Sequence, residues 1–240
     1  MKTVGLTPTE PTAPRAEMLG VTFSRGWKHS SFRLGITHVC FGATLILLAL
    51  LSACTSEPSK PAETAPKPAE LISARSAFQK VYVAARGWNQ DAKPYRLEST
   101  VTTDGNGHDG KWAVWRGSFA SAAMRSQKSY TWSGSAADGA PERGVNPGIE
   151  DTYSPSNAST QVFDIAFLKI DSDQAFATAQ QHGGDKILEK EPDTPVFYVC
   201  DWNHNTNQLV WHVTYGASRE GAKLTVAVDA STGVFLRVEK

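Results

Sequence analysis

The first seventy residues divide this 240-residue chain into parts of very different composition, which limits where a folded core can begin. Residues 43–51 are apolar except for Thr44, and Arg25, Lys28 and Arg33 precede them. No acidic residue lies between positions 21 and 51. Basic residues followed by a short apolar run are typical of a secretory signal peptide. The run is far shorter than the roughly 20 apolar residues of a membrane-spanning helix. An uncleaved anchor helix or a buried core helix is the alternative.

The apolar run ends in the sequence Leu-Ser-Ala-Cys at positions 51–54. This tetrapeptide resembles the lipobox of bacterial lipoproteins. The resemblance implies cleavage between Ala53 and Cys54, a lipid on the thiol of Cys54, and an acylated amino terminus. Two or more acyl chains anchor a protein stably in a membrane. We therefore expect a location in the cell envelope. Because no Asp follows Cys54, the expected location in a Gram-negative cell is the outer membrane, facing the periplasm.

Residues 1–17 are polar and contain Glu10 and Glu17, which is unusual before a signal peptide. Met18 is therefore a second candidate for the start of translation. In either case we assign residues 1–53 to an N-terminal extension with a signal peptide.

Residues 55–70 read TSEPSKPAETAPKPAE and contain no aromatic residue. Such a segment cannot bury enough apolar surface to offset its chain entropy. Proline keeps it extended at roughly 3 Å per residue. Residues 54–70 are thus predicted to be a lipidated Cys with a disordered tether.

The charge of the exported part excludes one class of partner. From residue 54 onward the chain has 19 basic and 22 acidic residues, a formal charge of −3. Nucleic-acid binding needs a basic face, so no nucleic-acid partner is expected.

The cysteines leave no pair for a disulfide in the mature chain. The lipobox resemblance implies that Cys40 is removed with the signal peptide and that Cys54 carries lipid, which would leave Cys200 without a partner within the chain. Its apolar neighbours at positions 196–199 favour a buried core residue, because free Cys is among the most buried residue types. A reactive thiol is the alternative.

Two helices are predicted in the remaining sequence. The first has apolar residues at helical spacing and ends near Gly87; these residues are Leu71, Ala74, Phe78, Val81 and Ala85. The second begins at Asp171, where Gln174 completes a capping box, and ends at the glycine pair 183–184.

Aromatic and β-branched segments bounded by Gly, Asn and Asp predict strands after each helix. The segments are residues 95–101, 111–119, 129–132, 161–167, 196–200, 208–215, 224–228 and 234–238. The long Pro/Gly/Asn/Ser-rich stretch 139–159 is predicted to be a mobile or functional loop.

The two halves of this region share a short pattern. The motif W-x-V-x-x-G occurs at residues 112–117 and again at 211–216. An internal repeat at this spacing predicts two tandem α+β units, residues 71–168 and 169–240. Two unrelated strands of similar composition are the alternative.

The C-terminal half, residues 171–240, resembles a PepSY-type repeat. The resemblance rests on the strand 210–215 and on Val-Asp-Ala-Ser-Thr-Gly at 228–233, followed by an apolar strand. It implies a cystatin-like layer of one helix packed on an antiparallel sheet. It also implies extracytoplasmic binding or protease inhibition without catalytic residues. The first half lacks the Val-Asp-Ala segment.

Aromatic residues are the candidate partner-binding groups, because exposed aromatics anchor many interfaces. Trp112 and Trp115 are an odd number of residues apart, so a regular strand would place one of them on the face away from the helix. Burial of both is the alternative. The full set of candidates is Trp112, Trp115, Trp132, Trp211 and Tyr215.

No motif in the sequence predicts catalysis, a metal or a cofactor. The loop 104–110 fails the EF-hand pattern, since position six is Asp109 and position twelve is Trp115. His108 and His204 lie in hairpins of the two halves and are the nearest approach to a metal pair. We therefore expect a non-enzymatic, lipid-anchored protein that binds a protein or peptide. Regulation of a protease is one form that this binding would take. A structural or assembly lipoprotein of the outer membrane is the alternative.

The lipobox prediction can be tested by labelling cells with an alkyne fatty acid. The protein should take up the label and begin at Cys54, whereas Cys54→Ser should remain unlabelled and keep residues 1–53. Cys40→Ser is the control and should be labelled normally. Label on Cys54→Ser, or a mature terminus elsewhere by mass spectrometry, would contradict the lipid anchor.

Overall fold

The computed structural model describes residues 67–240, so the predicted signal peptide, Cys54 and most of the tether lie outside the described residues. The described part is an α+β fold with a large antiparallel sheet and few helices, which confirms the predicted class. The helices are α1 (Ala74–Trp88), α2 (Ser172–Ala179) and α3 (Asp185–Lys190). Within residues 67–240, no helix is long and apolar enough to cross a membrane.

Eight strands form one sheet in the order β10-β9-β8-β7-β2-β4-β5-β6, and every neighbouring pair is antiparallel. Two short strands, β1 and β3, pair separately. The strands are β1 (Ile72–Ser73), β2 (Lys93–Ser99), β3 (Lys111–Trp112), β4 (Val114–Ser121), β5 (Ser126–Ser133), β6 (Gly144–Thr152), β7 (Val196–Asn203), β8 (Gln208–Tyr215), β9 (Leu224–Asp229) and β10 (Phe235–Val238).

Strands β2 and β7 join the two halves of the sheet at its centre. Leu97 lies opposite Cys200, and the pairs on either side complete a three-residue register. Beyond it, the Ser99 hydroxyl accepts a hydrogen bond of 3.0 Å from the backbone N–H of Tyr198. Leu97 and Cys200 point to the same face, where both are fully buried in one apolar core. We call this pairing the central seam.

The helices cover one face of the sheet. α1 buries the stripe Ala74, Ala77, Phe78, Val81 and Ala85, and packs on β4 and β5. α2 packs on β8 and β9. Strand residues at alternate positions fill the core beneath, because side chains two apart share a face. Leu71, predicted to be part of the helical stripe, precedes β1 and is exposed.

Asp171 caps the amino termini of both α1 and α2, and Ser172 supplies a second acceptor for α1. Asp171 forms the predicted capping box with Gln174, which is confirmed. Its Oδ1 also accepts a 2.9 Å hydrogen bond from the N–H of Arg75. The buried hydroxyl of Ser172 accepts from the N–H of Ala74 at 2.9 Å. The first turn of α1, which lacks a side-chain cap of its own, is thus capped by the second half of the chain.

The helical conformation that begins at Ser172 breaks at the glycine pair 183–184, as predicted. His182 and Gly183 have non-helical backbone angles, and α3 begins directly after the kink. Gly183 absorbs the kink with a φ of 108°. Gly184 lies against the hydroxyl of Tyr215, which leaves no room for a Cβ atom. The glycines therefore allow a bend and a close approach.

Two sequence predictions for residues 139–167 are wrong. Residues 161–167 form no strand; Phe163 is buried, and Asp164 caps the short 3₁₀ turn Ile165–Phe167 instead. The stretch 139–159 contains β6, which pairs with β5 along the edge of the sheet. An edge strand bonds on one side only, so it tolerates Pro147 and the nearby register shift, which is why its composition resembles a loop.

Two glycines with the same φ angle allow the cost of steric contact to be distinguished from the cost of backbone strain. Gly110 and Gly139 both have a φ of 78°. A Cβ on Gly110 would overlap the backbone of Asp173 and come within 2.7 Å of the Ser172 carbonyl carbon, whereas one on Gly139 would meet nothing within 4 Å.

We expect Gly139→Ala to cost about 1 kcal/mol, the strain of a left-handed alanine. Gly110→Ala should cost roughly 2 kcal/mol more, because overpacking is added to that strain. Thermal unfolding of the full chain measures both, and the difference corresponds to about 4–8 °C for a domain of this size. Equal losses of stability would contradict the packing at the start of α2.

Candidate functional site

The five predicted partner-binding aromatics are all buried. The indole N–H groups of Trp115 and Trp211 donate to the carbonyls of Ile72 and Ile170, at 2.9 and 3.0 Å. That of Trp112 donates to the carbonyl of Val196 at 2.8 Å. The exposure that a partner-binding role needs is therefore absent at Trp112, Trp115, Trp132, Trp211 and Tyr215.

The odd spacing of Trp112 and Trp115 did not place them on opposite faces, because no regular strand joins them. Ala113 interrupts the strands β3 and β4, and both indoles point into the core. Trp115 and Trp211 share one arrangement, since each donates its indole N–H to a carbonyl two residues before a helix begins, whereas Trp112 donates to the first residue of β7.

The sheet face away from the helices carries a row of paired charges that we call the charge ladder. Its members come from five strands or their ends, and their charges alternate in sign. In order they are Arg116, Glu98, Arg96, Asp201, His212, Glu239 and Arg237.

Glu98 joins the two arginines of the first half. Its Oε2 accepts from Arg96 Nε and its Oε1 from Arg116 Nε, both at 2.7 Å. Burial alone would raise the pKa of Glu98, but the adjacent guanidinium groups outweigh burial and lower this pKa. Arg96 also crosses the central seam to Asp201, at 3.3 Å.

His212 lies between two carboxylates in the second half. Its Nε2 is 3.2 Å from Asp201 and its Nδ1 is 2.7 Å from Glu239. Burial alone would lower the pKa of His212, but hydrogen bonds and charge from both carboxylates raise this pKa to about 9. The imidazole is therefore protonated at neutral pH. Despite their burial, the pKa values of Asp201 and Glu239 are lowered by this cation.

Three cavities lie along the ladder and form what we call the cross-sheet trough. The first, about 500 Å³, lies between residues 100–103 and 137–141. The middle one, about 420 Å³, lies under the loop 217–220 and shares Thr100, Val101 and Arg116 with the first. The third, about 160 Å³, contains His212 and shares Arg219 with the middle one. The trough therefore crosses the strands from β5 to β9.

Other candidate groups of the sequence have structural surroundings. The Asp104 carboxylate accepts hydrogen bonds from Thr102 and Ser135. His108 Nε2 is 2.7 Å from the Thr194 carbonyl oxygen, and His204 is exposed on the β7–β8 turn. Within residues 67–240, no group of three or more His, Cys, Asp or Glu residues is arranged to hold a metal ion.

Cys200 is buried on the covered face, in agreement with the favoured interpretation of the sequence. Burial raises the pKa of its thiol well above the usual range. Since the thiolate is the reactive form, this cysteine is suited to packing rather than to chemistry.

Comparisons with known proteins identify no relative of this chain. No family model, no curated protein and no solved structure matches this chain. The motifs of the sequence and the geometry of the trough therefore carry the functional argument alone.

The charge ladder predicts a pH-dependent contribution to stability. Because the folded pKa of His212 lies above its ordinary value of 6.5, the stabilisation is fully present below pH 6.5 and is lost as the pH rises through 9. We expect His212→Gln to lower the free energy of unfolding by about 1–3 kcal/mol more at pH 6.5 than at pH 9.5.

Urea unfolding of the full chain at the two pH values measures this difference. His204→Gln is the matched control, because the His204 side chain has no hydrogen bond to the described residues and should show no such difference. A cost of His212→Gln that is equal at both pH values would contradict the paired imidazolium.

Proposed function

We propose that this chain is a lipid-anchored binding protein of the cell envelope, without catalytic activity, that engages a protein or peptide partner through the cross-sheet trough. The observation that carries this proposal is the sheet face away from the helices, where three adjoining cavities follow a row of charged side chains. Pockets that bind ligands are concave and contain a few fixed polar groups.

The proposal includes two tandem units of PepSY-like type that join at the central seam. The order of elements supports it, since a helix followed by four strands of the large sheet occurs twice. Trp115 and Trp211 support it too, because each donates its indole N–H to the backbone just before a helix. The turn of the motif at 228–233 is also consistent, as Asp229 accepts from the N–H groups of Ser231 and Thr232, each at 2.8 Å.

The Pro-rich tether is proposed to hold this trough away from a membrane. The described chain begins beside the first cavity, where Arg143 donates to the carbonyls of Lys67 and Pro68. Glu70 donates its N–H to the carbonyl of Gly134 at 2.9 Å. The lipid on Cys54, with cleavage after Ala53, rests on the sequence motif.

A non-catalytic role is favoured by the way the ladder uses its polar groups. Both oxygens of Glu98 and both oxygens of Asp201 accept from ladder neighbours. Catalytic acids and bases must instead reach a reacting group directly or through one water. The ladder is therefore suited to fixing the shape and charge of a surface. Inhibition of a protease is one way in which such a surface would act.

The second candidate is a structural or assembly lipoprotein, and β6 favours it. Ile149 on this edge strand is 94% exposed. Only β5 pairs with β6 among the described strands, so the outer edge has backbone groups free for another chain. In this version a larger assembly would add a strand there.

Site-specific photo-crosslinking in intact cells distinguishes the two candidates. A photoreactive amino acid at Ala217, an exposed residue of the middle cavity, should form an adduct with one protein partner. The same group at Ile149 tests the edge strand. Val83, 73% exposed on α1, is the control and should form no adduct.

Adducts at Ala217 alone support the binding protein, and adducts at Ile149 alone support the assembly role. Adducts only at Val83, or none at Ala217, would contradict binding through the trough. Mass spectrometry of the adduct gives the partner's identity in each case.

A further inference from the structure

The cross-sheet trough has room for an extended chain that passes through it. It touches six adjacent strands, from β5 to β9, and neighbouring strands lie about 4.8 Å apart, so it is roughly 24 Å long. An extended peptide of about seven residues spans that distance at about 3.4 Å per residue. Because the middle cavity shares residues with a cavity on each side, the chain would continue past the middle in both directions.

The middle of the trough has unused hydrogen-bond donors of positive charge. Arg116 is engaged through Nε and Nη2 only, and its side chain is 54% exposed. Arg96 is engaged through Nε and Nη1 only. Arg219, which lies on the loop above, has no ion pair with the described residues. A guanidinium has five N–H donors, so these three groups have donors to spare.

The carboxylates of the trough either have their oxygens engaged by arginine or His212 or lie at its rim. Glu98 has both oxygens engaged and is largely buried. Glu220 is exposed on the loop 217–220, and Asp138 is exposed beside the first cavity. The middle and third cavities together have more cations than anions. The cations are Arg96, Arg116, His212, Arg219 and Lys240, and the anions are Glu98, Glu220, Glu239 and Asp201, which lies between Arg96 and His212.

This excess contrasts with the net charge of −3 of the sequence from residue 54 onward. A local cation excess on an acidic protein is complementary to an anionic ligand. Arginine is also the residue that best matches the planar geometry of a carboxylate.

We propose that the trough binds an internal segment of an extended polypeptide and that an acidic side chain of this segment lies between Arg116 and Arg219. The carboxylate would accept from the free edges of these guanidinium groups, above the ladder. The threonines that line the two outer cavities, Thr103 and Thr131 on one side and Thr225 on the other, would contact the peptide backbone on either side. This inference rests on the proposed function and specifies the partner's chemistry.

Pools of acetylated, amidated heptapeptides test this proposal with the full chain in nanodiscs. The central residue is Glu, Gln or Lys, and the other positions are random mixtures without charged residues. We expect the Glu pool to be retained roughly tenfold or more above the Gln and Lys pools, because hydrogen bonds to a charged group are the stronger ones. Retention of the Glu pool should fall as salt is raised.

Arg219→Gln should abolish most of the preference for Glu, and Arg219→Lys should keep part of it. This position is chosen because no carboxylate lies within ion-pair distance of Arg219 among the described residues. Arg116→Gln, in contrast, would remove an ion-pair partner of Glu98. Arg125→Gln, on the exposed β4–β5 turn, is the matched control and should leave retention unchanged.

Equal retention of the Glu and Gln pools, or no retention of any pool, would overturn the acidic-peptide proposal. The proposed function would still stand if the crosslink from Ala217 were found. Loss of that crosslink together with loss of peptide retention would reject both. A preference for Glu that survives Arg219→Gln would place the carboxylate elsewhere and also overturn the proposal.

Discussion

The central seam is the interaction on which the rest of the structure depends. Only three residue pairs connect β2 with β7, from Arg96–Asp201 to Glu98–Val199. On one face it places Leu97 beside Cys200, which makes the apolar core continuous under both helices. On the other face it places Arg96 beside Asp201, which makes the charge ladder continuous. A shift of one residue would exchange these faces, because side chains alternate along a strand.

Capping at the helix termini reinforces the same join from the covered side. Asp171 and Ser172 accept hydrogen bonds from the first turn of α1 while starting α2. The free N–H groups of a helix terminus need acceptors, and here a residue about 100 positions away in the sequence supplies them. The amino terminus of α1 therefore depends on the start of α2. Ser172 also donates to the Gly110 carbonyl at 2.6 Å, so the loop after β2 is held against the start of α2.

The members of the charge ladder contribute unequally to stability. Exposed ion pairs are worth little, so its outer members add only small amounts to the free energy of folding. Its inner members, Glu98 and His212, are more buried, and their partners are fixed by backbone register. Long side chains that are held in this way give the trough a preorganised floor. Preorganisation reduces the ordering cost of binding, which is consistent with the peptide binding proposed above.

The sequence alone determined the elements with strong local signals. It predicted α1, the capping box at Asp171 and the main strands, since hydrophobic period and cap chemistry act within a few residues. Sequence motifs are also the whole basis for Cys54 and the tether. The alternation of Arg96 and Glu98 did signal a polar sheet face, and a period-two count of charges would have found it. What only the tertiary structure decided is which strands meet: it buried the tryptophans, made β6 an edge strand and brought His212 between Asp201 and Glu239. Pairing between distant strands depends on long-range backbone hydrogen bonds and on the packing of a shared core. The spacing of neighbouring residues determines neither of these.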